Sequence, residues 1–130
     1  MNTRDKIITH ALKISCEIYN ANKNSIISNN NRSSCTIKAK RMFIYYLYEF
    51  MEIKHTGMKK YINGFNHASS IHHVNKFKFE KNHYEDVKKD FDKFMLEMKR
   101  FNVYGGGFYE KRKEIKRLLN EINNIKNEYS

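Results

Sequence analysis

One hundred and thirty residues with 40% hydrophobic content suit one domain around a modest core. No apolar run approaches the 18 or so residues that span a membrane, and the charged, amphipathic start MNTRDKIITHALKISC does not read as a signal peptide. The net charge is +11, and it is uneven: residues 1–82 carry 14 Lys and Arg against 5 acids, residues 83–130 carry 11 against 9. Compositional bias acts along a whole chain, so this asymmetry favours one surface that faces a polyanion.

Residues 3–20 place Ile7, Ile8, Ala11, Leu12, Ile14, Ile18 and Tyr19 at helical spacing, with Thr3 and Asp5 as N-terminal caps. The Asn- and Ser-rich stretch that follows reads as a loop with one short turn around residues 25–28, and Arg32 within it is placed to touch phosphate. Residues 37–53 are apolar or aromatic throughout from 42 to 48. Their length, and the lack of Gly and Pro, predict a central helix buried nearly all round. Lys38, Lys40 and Arg41 are expected on its first turn, where cations oppose the helix dipole unless phosphate compensates them.

Residues 56–62 predict a short helix, with Met58, Tyr61 and Ile62 inward and Lys59 and Lys60 outward. Asn63-Gly64-Phe65 reads as a turn, and Asn66 as the cap of a helix running to about residue 81. Short helix, glycine turn and second helix make a helix-turn-helix pattern. At 100° per residue, Ser70, Ile71, Val74 and Phe77 face the core, while Ala68, Ser69, His72 and Lys76 face outward. That outward face is small, polar and basic, which suits close approach to base edges. His67 points partly coreward and reaches DNA if the helix enters the groove end-on.

Residues 83–102 predict a further helix with an apolar face of Tyr84, Val87, Phe91, Phe94, Met95 and Met98. Residues 105–107 read as a glycine linker, and residues 108–128 as an amphipathic helix with Ile115, Leu118, Leu119, Ile122 and Ile125 in a stripe. The division is therefore 1–102 for the DNA-binding domain and 103–130 for linker and last helix. With under three heptads and no strict a/d pattern, that last helix reads either as packing back on the domain or as a surface for a second copy or a protein partner.

The stretch Asn63-Gly64-Phe65-Asn66-His67-Ala68-Ser69-Ser70-Ile71-His72 resembles the motif Gly-Gly-Arg-Asp-His-(Thr/Ser)-Thr-Val-(Leu/Ile)-His. That motif belongs to the C-terminal DNA-binding domain of the bacterial replication initiator DnaA. Upstream, Lys38-Ala39-Lys40-Arg41 resembles the family's basic lead into its long helix, and residues 42–50, ending Glu49-Phe50, resemble that helix. The likeness covers roughly residues 5–100 in order and type of segment. It implies an all-α, compact helical bundle with a helix-turn-helix, of the DnaA C-terminal or Trp-repressor type.

It also implies base reading by Asn66, His67, Ala68 and Ser69, and a minor-groove contact by Lys40. Only His67 of the four is identical to the family's residue, and Phe65 replaces a basic one. Ala39 and Thr56 stand where the family often has proline. These departures imply a target other than the initiator's, or low specificity. No Gly-x-x-x-x-Gly-Lys-(Ser/Thr) occurs, so a stand-alone module without the ATPase is expected, of a kind suited to a phage or accessory genome.

The expected partner is thus double-stranded DNA, in replication or transcription control, with no cofactor and no catalysis. Lys59, Lys60, His72 and Lys76 would hold phosphates. A metal at His67, His72 and His73 is disfavoured, because spacings of five and one residue converge poorly and no acid or cysteine lies in the motif. Cys16 and Cys35 lack metal spacing and suit a reducing cytoplasm, though spacing alone leaves a disulfide open. Two other readings stand: a helix-turn-helix scaffold that docks another protein, and single-strand or RNA binding by stacking on Phe43, Tyr45, Tyr46 and Tyr48.

Overall fold

The computed structural model describes residues 3–30, 32–104 and 117–122. Five α-helices and one 3-10 helix account for its regular structure up to residue 104, and among the described residues there is no strand. None of these helices is long and apolar enough to cross a membrane. The fold is all-α, as the periodicity predicts.

Helix α1 (Thr3–Tyr19) buries Ile7, Ile8, Ala11, Leu12, Ile14, Ser15 and Cys16. It stops where Asn20 turns left-handed (φ 54°) and the Ala21 N–H donates to the Cys16 carbonyl at 2.9 Å, the closure expected of a capped C-terminus. Helix α2 (Lys23–Ser28) is capped by Asn22, whose side chain accepts from the Asn24 and Ser25 amides, and ends at left-handed Asn29. The turn expected around residues 25–28 is therefore a short, capped helix.

Helix α3 (Ser34–Glu49) is the axle of the bundle. It packs on α1, α2 and α4, and residues 42–47 are all buried. Its start differs from the expectation. Ser33 caps it, accepting from the Thr36 amide at 3.3 Å and donating to the Thr36 hydroxyl at 2.8 Å, so the helix opens three residues early. Lys38, Lys40 and Arg41 therefore lie beyond its first turn, where the N-terminal end of the dipole no longer acts strongly. The helix dipole therefore calls for no phosphate to offset them.

A left-handed Glu52 (φ 57°) reverses the chain into a 3-10 helix, His55–Lys60, which seats Met58 in the core, with Ile62 just beyond it. The Asn63 amide donates to the Ile27 carbonyl at 2.8 Å, pinning the turn to α2. Gly64 then takes φ 67° with open space where a Cβ would stand. Gly64→Ala should cost about 1–2 kcal/mol from backbone conformation alone, without a clash. Urea unfolding checks this, and an unchanged midpoint would show that the turn tolerates another geometry.

Helix α4 (His67–His83) follows, with Ser70, Val74 and Phe77 buried as its azimuths predict. Tyr84 is extended and breaks the chain without Gly or Pro. Helix α5 (Glu85–Tyr104) begins with Glu85 and Asp86, which suit the positive end of its dipole. It buries Phe91, Phe94 and Met98 against α1 and α4. Tyr84, expected on that buried face, is instead exposed, because it lies ahead of the helix. The expected glycine linker at 105–107 lies outside the described residues, as does most of the 108–128 helix. Residues 117–122 are helical and expose Leu118, Leu119 and Ile122.

Three of the four aromatic residues of α3 lie inside, and the fourth, Tyr48, is half-buried with its ring stacked on that of His55. Phe43, Tyr45 and Tyr46 are buried, and Tyr45 sits among Phe77 (4.8 Å between ring centroids) and Phe91 (5.3 Å). Rings so placed cannot stack on nucleotide bases, because their faces are already covered.

Candidate nucleic-acid interface

The tip of α4 is built by its cap. The Asn66 side-chain oxygen accepts from the Ser69 amide at 2.7 Å. That leaves the amide NH2 of Asn66 as its outward polar group. His67, Ala68, His72 and Lys76 are exposed and Ser69 is half-buried. From His67 to Phe79 the helix carries no acid. Lys59 and Lys60 are exposed at the end of the 3-10 helix, which packs on α4.

His55 holds these two elements together. Its Nδ1 lies 2.7 Å from the hydroxyl of fully buried Ser70, and its ring stacks on Tyr48 of α3 at 4.2 Å. His67 meets the same ring edge-on at 5.5 Å. Burial, with His67 and Lys78 nearby, holds His55 below its ordinary pKa, which favours the neutral ring beside Ser70. The sequence alone gives His55 no role. Nothing in its spacing marks it, since its partners lie seven residues back and fifteen ahead.

Lys40 and Arg41 turn inward. The Lys40 ammonium donates to the Asn29 side chain at 2.9 Å, and the residue is only 8% exposed. Arg41 donates to His73 Nδ1 at 3.3 Å and pairs with Glu80 at 3.0 Å. Arg32 and Lys38 stay exposed. Glu49 pairs with Lys78 at 2.8 Å, so the acids of α3 and of α4's second half are matched within the fold.

The three histidines of the motif thus differ. His67 and His72 face solvent. His73 is half-buried, stacks on buried Phe65 at 5.6 Å, and accepts from Arg41. Burial, reinforced by Lys40, Arg41 and His72, lowers its pKa from 6.5 to about 4. A depressed histidine pKa means the fold prefers the neutral ring. Its contribution to stability is complete above pH 6.5 and is lost as pH falls towards 4. His10 and His55 are shifted in the same direction. We expect the urea midpoint to fall over that range, and to fall less in His73→Gln, whose side-chain oxygen still accepts from Arg41. Parallel curves for the two proteins would assign the pH dependence elsewhere.

Among the described residues no group of three or more His, Cys, Asp or Glu side chains is placed to hold a metal. Cys16 and Cys35 are both free thiols, the first buried and the second exposed, so the spacing that left a disulfide open does not correspond to one.

No family model, curated protein or solved structure matches the chain. The likeness to the initiator's DNA-binding domain stands on the quoted residues alone.

Proposed function

We propose that the chain binds double-stranded DNA, with the first turns of α4 entering the major groove. One observation carries this reading: a capped helix end presents short or basic side chains, with no carboxylate on its outward face, from a rigidly seated base. Ser69, His67 and the Asn66 NH2 would meet base edges, and the Ala68 methyl would suit a thymine methyl. Lys59, Lys60, His72 and Lys76 would hold phosphates on either side, while Arg32 and Lys38 extend the cationic surface along the loop before α3 and its second turn. His55 is a positioning residue in this scheme, since it fixes α4 and touches His67. The process served would be replication or transcription control.

Selection of bound fragments from a random duplex pool tests this reading. Enrichment of one short shared sequence is the expected result. A pool that stays unenriched, with no retained duplex, would remove base reading.

A further inference from the structure

Lys40 presents an unresolved charge. Its side chain comes from the middle of α3, is 8% exposed, and has a neutral amide as its hydrogen-bond partner. An ammonium carries three donors, and a buried one is costly without a counter-charge. Among the described residues, the charges that act on it are Arg32 and Arg41, both positive, and they join burial in pushing its pKa down. Arg41 has its own carboxylate in Glu80. Asn29, which holds the ammonium, is itself fixed as the left-handed cap of α2, its N–H on the Ile26 carbonyl at 3.2 Å. Exposed Arg32 acts from the loop before α3. On the α4 side, Lys40 acts on His73, whose neighbour His72 is exposed with its ring 5.5 Å away.

We propose that Lys40, Arg32 and His72 form a binding site for a phosphate group at the junction of α2, α3 and α4, with Asn29 orienting the ammonium. The anion supplies the missing counter-charge, and the two flanking exposed cations close over it. The phosphate comes either from a nucleic-acid backbone or from a free phosphate. In the first case the site rests on the DNA-binding reading; in the second it stands without it.

The test is a titration of the full chain with inorganic phosphate at constant ionic strength, followed by the imidazole NMR signals of His72 and His73 and by the melting temperature. Saturable shifts, a rise of about one unit in the His73 pKa and a raised melting temperature are expected. Lys40→Met keeps the volume, removes the buried charge, and should abolish all three. Should Lys40→Met fail to fold, Arg32→Ala, at an exposed position, must weaken the phosphate response instead.

A second arm adds a short duplex. Loss of the phosphate response in its presence, with duplex affinity about tenfold weaker in Lys40→Met, assigns the site to the backbone. Persistence of the response assigns it to free phosphate. Phosphate binding without any duplex binding would sink the DNA reading and keep this site. A response to phosphate no greater than to chloride, together with no duplex binding or equal duplex affinity in the two proteins, would overturn the proposal.

Discussion

Phe77→Ala is expected to destabilise the fold by about 3–5 kcal/mol. Phe77 is 2% exposed and ties α4 to both α3 and α5: its ring lies 4.8 Å from that of Tyr45 and 5.6 Å from that of Phe91. Removing it costs the transfer free energy of the ring and leaves a cavity. The neighbours cannot close that cavity cheaply, because Tyr45 is held by Lys81, which donates to its hydroxyl at 2.8 Å. Phe77→Leu fills part of the space and should lose much less. Urea unfolding by far-UV circular dichroism reads both. A loss below about 1 kcal/mol for Phe77→Ala would mean that α4 is seated by other contacts. DNA binding by that variant should fail only where unfolding begins, since Phe77 itself faces away from the tip.

His67→Ala and Ser69→Ala should each weaken binding to a selected duplex by about 1–3 kcal/mol and leave random duplex nearly unchanged. The structure makes Ser69→Ala a clean substitution. The cap bond uses the Ser69 backbone amide, not its hydroxyl, so the helix end should stay intact. His67→Ala also removes the edge contact with His55, yet the His55–Ser70 and His55–Tyr48 contacts remain to hold α4. Binding isotherms on the selected and a scrambled duplex separate base reading from general attraction. Equal losses on both duplexes would show that the two side chains serve the backbone, not the bases.

The tip of α4 was legible because its signals are local. A glycine that must take positive φ, an Asn three residues before the amide it caps, and the spacing of Ser70, Val74 and Phe77 all act within two helical turns. The start of α3 was not legible in the same way. Ser33 lies in a run of Asn and Ser, any of which can cap a helix. The directions of Lys40 and Arg41 were hidden for a different reason. Residues 42–48 are apolar or aromatic without a break, so no polar face fixes the phase of that helix. Only its packing against α2 and α4 decides that the two cations turn inward. His55 and His73 depend on partners from other elements, and no periodicity links a ring to those.

The affinity for a duplex as a function of salt tests the central claim most directly. If about five phosphates are engaged, log K should fall against log salt with a slope near −4 to −5, and Lys60→Ala should flatten it by about one. A chain that binds duplex no better at low salt than at high, or a slope that Lys60→Ala leaves untouched while Lys81→Ala changes it, would contradict a DNA surface formed by the 3-10 helix and the tip of α4.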